Sequence, residues 1–447
     1  MSSSSKNDGG SCDADGSMTT KRPKTGPTSF VTWNCNGLVS RCKWNKDQLH
    51  RLLQETQNPD VICLQEVRLK ATNPSNRGTP LPADYKASQE CMEKTVFSNY
   101  QPFWSLASTK YSGTCTLLHK RLRFDPSQTA FTPNSAISLL LKKYNLTCQD
   151  VGISLTEDTV STSSQSSTTK DTKTKQTSMK SFFAPKKATT SAVAPSSFKR
   201  HHEEGRFQFF AFDSFDLINT YVPNNGTKVE SFARRRKWDE DMLQFLQNRR
   251  KLLEHVASAK QHRPLLWCGD MNVAKDYRDG SHWKKGSNED GSVYEFWTDE
   301  SQCFVAAARS KLEPNRHVDD QGIPSFTRNE RKRFTTILQE GELSDVWRDL
   351  HPDGVVVTES QNQRYKNKWE HPNWTWRGHM SKDENHYVNK YQGKGQRLDY
   401  FLLSPSTLVK DDAIVKSCEI LGYGESREGL FCGSDHCATM LQLKYPF

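Results

Sequence analysis

Phe30-Val31-Thr32-Trp33-Asn34, then Lys46 to Gln54, then Asp60-Val61-Ile62-Cys63-Leu64-Gln65-Glu66: these three consecutive pieces decide the fold class. The first and third are short apolar runs of strand type, and the piece between them has helical spacing. Strand, helix, strand is the unit from which layered α/β folds are built. Working outward, apolar runs that end in polar residues stand at Thr114 to Leu118, Phe207 to Tyr221, Pro264 to Asp270, Leu398 to Leu403 and Ala438 to Leu443, with a helix expected between Glu230 and Val256.

The flanking sequence is of another kind. Residues 1–28 are rich in Ser, Gly, Asp and Lys and read as a flexible tail, whose cluster Lys21-Arg22-Pro23-Lys24 suits an import signal or a solvated tail equally. From 154 to 204 the pattern collapses into Ser, Thr, Lys, Gln and Pro. Strands precede and follow this stretch, so it is expected to be a disordered insertion within one catalytic domain spanning 29–447. Such additions explain a hydrophobic fraction of 34%, below the roughly 45% usual for globular domains.

The net charge of +10 fits a polyanionic partner and also fits plain solubility. Twelve cysteines are scattered without paired spacing, and no signal-peptide segment is apparent, which points to a reducing compartment without disulfides or structural zinc. No apolar run approaches the roughly 18 residues of a membrane span. A soluble protein is expected, and no internal repeat is visible.

Acidic or amide residues recur at strand ends: Asn34 and Asn36 in TWNCNGL, Glu66 in LQE, Asn224 in YVPN, Asp270 and Asn272 in GDMN, Asp399 in RLDYF, and Asp435 with His436 in GSDH. Singly, each is most often a cap or turn residue. Together they matter, because strand ends of an α/β sheet converge on one crevice. Oxygen ligands, a histidine and amide donors there are equipment for metal-assisted hydrolysis of a phosphate ester. These positions hold no Cys or clustered His, and neither a GxSxG elbow nor a GxxxxGK(S/T) loop occurs, so thiol, zinc, serine and nucleotide-triphosphate chemistry lose ground.

The ordered set WNCNG, LQE, YSG, YVPNNG, WDED, GDMNVA, SFTRNER, RLDYFLLS and GSDHC resembles the exonuclease III family of apurinic/apyrimidinic endonucleases, from about Thr32 to the C-terminus. YVPN and RLDYFLLS separate this branch from the sphingomyelinases and inositol phosphatases of the same superfamily. The resemblance implies a four-layer α/β sandwich, two β-sheets flanked by helices. It implies a magnesium-dependent enzyme, with manganese as the alternative ion, hydrolysing the phosphodiester 5′ to an abasic site in duplex DNA and leaving a 3′-hydroxyl. Some 3′–5′ exonuclease or 3′-phosphodiesterase action goes with it.

Carried onto this chain, the resemblance makes Glu66 the principal metal ligand, with Asn34, Asn36, Asp270, Asn272, Asp435 and His436 around the ion. Asp270 would orient or deprotonate the attacking water, and His436 would contact the scissile phosphate with its tautomer set by Asp399. Tyr221, Asn224 and Asn272 would hold phosphate oxygens. Arg234, Arg235, Arg236 and Lys237, which open the helix after YVPN, suit backbone phosphates or a solvated helix face.

The chain departs from the pattern at Gln396, where compact members place a pocket tryptophan before RLDYF. Trp374 and Trp376 lie where the family has another pocket aromatic, Trp376 being the closer match, and would restore an apolar wall or pack in the core. Charged extra sequence at 286–324 and 353–371 reads as surface loops, and no zinc-bearing tail follows GSDHC.

Within the insertion, Gln176-Thr177-Ser178-Met179-Lys180-Ser181-Phe182-Phe183 resembles the clamp-binding peptide called a PIP box. In a 3₁₀ turn Met179 and Phe182 share a face, Phe183 completes the plug and Gln176 bonds at its edge. The partners expected are abasic duplex DNA and the sliding clamp (proliferating cell nuclear antigen), for a nuclear, monomeric protein that binds no membrane. Two other readings stay open: a phosphodiesterase of the same fold acting on RNA, and a non-catalytic DNA-binding adaptor.

Overall fold

The computed structural model describes residues 26–73, 76–155, 203–226, 229–256, 263–275, 277–280, 283–287, 293–297, 324–355, 373–377, 395–405, 414–422 and 430–447. Twelve strands form two six-stranded sheets. The first takes β1 (Ser29–Asn34), β2 (Val61–Gln65), β3 (Tyr100–Ser105), β4 (Thr114–His119), β11 (Val415–Ile420) and β12 (Thr439–Leu443), in the spatial order β11-β12-β1-β2-β4-β3. The second takes β5 (Thr129–Ala130), β6 (Phe207–Ala211), β7 (Asp216–Tyr221), β8 (Leu265–Asp270), β9 (Ser344–Asp345) and β10 (Asp399–Ser404), in the order β9-β10-β8-β7-β6-β5.

Each sheet has one parallel pair at its centre, β1 with β2 and β7 with β8, each joined by helix, and every other pairing is antiparallel. The two halves therefore repeat one topology, although their sequences show no repeat.

Alternation along each strand sorts side chains between layers. Phe30, Val61 and Cys63 of the first sheet meet Leu217, Leu266, Cys268, Phe401 and Leu403 of the second in a shared inner core. The opposite faces take helices. Val31, Trp33, Ile62 and Leu64 pack on α1 (Leu38–Trp44), α2 (Lys46–Glu55) and α3 (Pro82–Glu93). Ile218, Leu265, Trp267 and Leu402 pack on α4 (Pro133–Lys143), α5 (Val229–Val256) and α6 (Arg328–Glu340). Helix, sheet, sheet, helix is the four-layer sandwich expected.

Several boundaries are corrected. The run Phe207 to Tyr221 is two antiparallel strands turning at Asp213-Ser214, residues that favour turns. β3 and β11 escaped the sequence reading because both are edge strands with exposed positions that interrupt the apolar run. Thr28 belongs to the fold and not to the tail, its N–H reaching Asp60 Oδ2 at 2.8 Å. Glu203 and Glu204, expected inside the insertion, bond through their carbonyls to the N–H groups of Ser108 and Gly113. The expected loop from 286 begins inside a two-stranded ribbon, Trp283–Ser287 with Val293–Trp297. Gln176, Met179, Phe182 and Phe183, expected from the sequence to bind a sliding clamp, most of 1–28 and nearly all of 353–371 lie outside the described residues. Among the described residues, no helix is long and apolar enough to cross a membrane.

Candidate active site

Strand register builds the site. Tyr221, Asp270 and Asp399 are direct partners across β7, β8 and β10, so one row of three side chains faces the inner layer at one sheet end. Asn34 ends β1 with the same inward parity as Phe30 and Thr32. Deeper along these strands lies a fully buried polar layer, in which Gln65 donates to Thr32 Oγ1 at 3.0 Å and to Asn219 Oδ1 at 2.8 Å. Thr116 and Gln208 extend it. These polar side chains stand between the sheets by bonding to one another, with Gln65 Oε1 left without a partner, and the layer separates the apolar core from the site.

The acid–base group is tight. His436 Nδ1 is 2.7 Å from Asp399 Oδ2, and its Nε2 is 3.9 Å from Asp270 Oδ2. Burial alone would pull the imidazole pKa down, but the Asp399 and Asp270 carboxylates outweigh it and push it up to about 10. The ring is thus a cation with two N–H donors. Burial, with Asp399 adding, pushes Asp270 up to about 7, into the range of a general base working near neutrality.

Backbone and amide groups hold these carboxylates. Thr375 Oγ1 accepts the N–H groups of Leu398 and Asp399, at 2.9 and 3.1 Å, where β10 begins. Asn34 Nδ2 donates to Asp270 Oδ2 at 3.0 Å, and the Asn272 N–H to Asp270 Oδ1 at 2.9 Å. Asn272 Nδ2 is used within the protein, by Val222 O at 2.8 Å and Asp270 Oδ2 at 3.3 Å. Both its hydrogens are engaged, and its bonds hold the Asp270 carboxylate in place. Asn224 Nδ2 donates to Asn272 Oδ1 at 3.0 Å, which places it at the same edge as Asp270.

Oxygen ligands gather beside this group. Glu66 sits in left-handed backbone, φ 54°, after β2, and Arg68, Asn36 and Asn272 share that region with φ of 55°, 46° and 47°. For Glu66 and Arg68 that conformation carries strain of the kind concentrated at functional sites. Glu66 Oε1 is paired with the Arg68 guanidinium at 2.6 Å. Asn36 Nδ2 donates to Asp435 Oδ1 at 2.7 Å and Trp376 Nε1 to Asp435 Oδ2 at 3.2 Å.

Asp270, Asp399 and His436 offer ligand atoms within 4.8 Å of one another. They are a group able to hold a metal ion, and the bond from Asp399 to His436 Nδ1 leaves Nε2 as the ring atom on the Asp270 side. Glu66 and Asp435 carry further carboxylate oxygens of the kind a hard cation takes, now bonded to Arg68 and to Asn36 and Trp376. The Cys35 thiol, which burial pushes up to about 12, stays protonated and is no ligand.

Other expected residues need redefinition. Trp376 is half-buried and meets both the backbone of His436 and the carboxylate of Asp435, which places it against the site. Gln396 is buried and pairs by backbone with Trp376, within the ribbon that presents this indole. Arg235, expected to suit backbone phosphates or a solvated helix face, is instead buried and bonded to Asp239, Pro223 O and Asn272 O. Arg234 is half-buried and pairs with Glu204 at 3.5 Å, and Lys237 with Asp241 at 2.8 Å. Sequence reasoning missed Thr375, Arg68 and Arg206. Their only signal was adjacency to NWTW, LQE and the end of the insertion.

The endonuclease/exonuclease/phosphatase family matches residues 31–436, and the chain belongs to it, an enzyme of a hydrolase superfamily that works with divalent metals. A protein of Arabidopsis thaliana named DNA-(apurinic or apyrimidinic site) endonuclease is 29% identical over 434 residues, covering 94% of this chain and 86% of that one. A Plasmodium falciparum protein of the same name is 27% identical over 93% of this chain, which spans about half of it, 54%. The crystal structure of an AP endonuclease from Leishmania major shares the fold, at 20% identity and TM-score 0.50, with 96% of this chain and 90% of that one covered.

Proposed function

We propose that this chain is a magnesium-dependent AP endonuclease, hydrolysing the phosphodiester 5′ to an abasic site in duplex DNA and leaving a 3′-hydroxyl, with some 3′–5′ exonuclease action. The observation that carries the reading is the 3.9 Å gap between a buried carboxylate with a raised pKa, Asp270, and a protonated imidazole, His436. A water approached by Asp270 gives up its proton there, while His436 faces a phosphoryl oxygen with a fixed N–H. Asn224 and Tyr221 line the same edge and position the phosphate, and Trp376 walls the side where the sugar is accepted. A bound magnesium ion would be held by Glu66 and Asp435 and would supply charge stabilisation to the phosphoryl oxygens. The relatives named AP endonuclease support the choice of substrate.

The purified chain is expected to incise a duplex carrying one abasic analogue when magnesium is present, and chelator should abolish this. Equal cutting in chelator would remove the metal from the reading. Preference for single-stranded RNA would replace the substrate, and binding without cutting would make the chain an adaptor.

The same reading includes attachment to the sliding clamp through residues 176–183, in a nuclear, monomeric protein; this part rests on sequence alone. Titration calorimetry is expected to give binding of the clamp by the full chain and none by the Phe182→Ala, Phe183→Ala double variant. Absence of binding by the full chain, or equal binding by both, would eliminate the motif. Incision of short linear DNA without clamp should not change.

A further inference from the structure

The segment Glu203-Glu204-Gly205-Arg206 follows the insertion and runs directly beneath the site. Gly205 has φ +61°, and a Cβ there would lie 2.2 Å from the carbonyl oxygen of Ser105, so only glycine lets the chain pass this close. Glu203 O and Glu204 O receive the N–H groups of Ser108 and Gly113, at 3.1 and 3.2 Å, which tethers the loop carrying Tyr111. Arg206 O receives the N–H of Tyr221 at 2.9 Å.

The Arg206 side chain is wholly buried and spends its planar fork on the same pieces. Nη1 donates to Tyr221 O at 3.0 Å, Nη2 to the Tyr111 hydroxyl at 2.8 Å, and Nε to the Glu204 carboxylate. The guanidinium also lies over the Tyr221 ring, 4.7 Å from its centroid, and 5.4 Å from that of Tyr111. Glu204 shares its charge with Arg234 of α5. Burying a guanidinium is costly unless its geometry is fully used, and a lysine cannot reproduce a fork that bonds three groups while facing two rings.

We propose that Arg206 is a positioning residue for the phosphate-facing edge, fixing Tyr221 and the Tyr111 loop together, with residues 203–206 as the strap that ties the end of the insertion to the catalytic row. The idea deepens the proposed phosphodiesterase function and rests on it for its kinetic readout only. Arg206 touches no reacting atom in this assignment. It acts through Tyr221, which stands beside Asp270 in the row described above.

A variant cycle tests it. Arg206→Lys is expected to lower kcat on abasic duplex roughly 10- to 100-fold with KM changed little, the scale for a misplaced group at a site. In a Tyr221→Phe background the same substitution should cost no more than about twofold, since its target is already altered. Glu204→Gln loosens the fork without removing it, and should repeat the pattern at smaller amplitude if Arg206→Lys folds poorly. Hydrogen exchange read without substrate should show the Gly113 and Tyr221 amides opening on the order of 10-fold faster in Arg206→Lys.

Unchanged kcat in Arg206→Lys and Glu204→Gln, or equal losses in both Tyr221 backgrounds, would overturn the proposal while incision by the parent chain leaves the function standing. If the parent chain does not incise, the function falls and exchange decides. Faster opening of both amides then upholds the strap, and unchanged opening removes it.

Discussion

Asp270→Asn is expected to lower incision at saturating abasic duplex by on the order of 10²- to 10⁴-fold, with duplex affinity near the parent value. The substitution preserves size and keeps one acceptor oxygen, where Asn34 Nδ2 and the Asn272 N–H now use one carboxylate oxygen each. It removes the one group beside His436 able to accept a proton near neutrality, so the loss falls on the transition state and not on ground-state attraction for phosphate. Two pH readouts accompany it. In the parent chain activity should be lost as pH falls through about 7, where Asp270 takes up its proton, and the residual activity of the variant should lack that limb.

The second readout is stability. Asp270 has a folded pKa above its ordinary value, so the folded state is favoured while the group is neutral and penalised once pH rises through about 7. Asparagine carries no such penalty. Asp270→Asn should therefore melt at a higher temperature than the parent at pH 8, and the two should converge near pH 4. Near-normal turnover in the variant, or a lower melting temperature at pH 8, would remove Asp270 from the role of buried base. A stabilising substitution that abolishes chemistry is what a strained catalytic carboxylate predicts.

Arg397→Met is expected to destabilise the fold by about 3–5 kcal/mol, the range for removing one partner of a buried ionic cluster. Arg397 is wholly buried behind β10. Its Nε meets Asp279 Oδ1 at 2.8 Å, and Nη1 and Nη2 meet the two Asp345 oxygens at 2.9 and 2.5 Å. Arg348 adds a bond to Asp279 at 2.6 Å. Methionine fills most of the volume but leaves Asp345 without the fork that neutralises it and Asp279 with half its compensation. Because Arg397 stands two residues before Asp399, the strand that orients His436 should loosen as well. Denaturant unfolding would measure the effect, and a change below about 1 kcal/mol, the scale of an exposed ion pair, would mean that the cluster is not the support inferred.

The list of reactive residues was legible because strand ends can be counted in sequence: apolar runs locate β1, β2, β7, β8 and β10, and the polar residue at one end of each, closing β8 but opening β10, lies at one end of a sheet. The motif order carried the family in the same way. What could not be read was how those residues divide their work. Asn272 appeared as a phosphate ligand, and only the register of β7 beside β8 revealed that Val222 O and Asp270 take both its hydrogens.

Sequence by itself determined the layered α/β class, the candidate acid, base and ligands, and the place of the insertion, because periodicity and chain order are local properties. Tertiary structure alone decided which side chains share a charge. Asp270, Asp399 and His436 are brought within 4.8 Å by three separate strand ends, and the charges gathered there set the protonation of Asp270 and His436. It alone decided that Arg235 is buried while its neighbour Arg236 is exposed, since helix phase against the second sheet determines that choice. It alone also joined Arg206 to Tyr221 and Tyr111. Electrostatic coupling and burial depend on distance through space, and distance through space is what a linear order of residues does not contain.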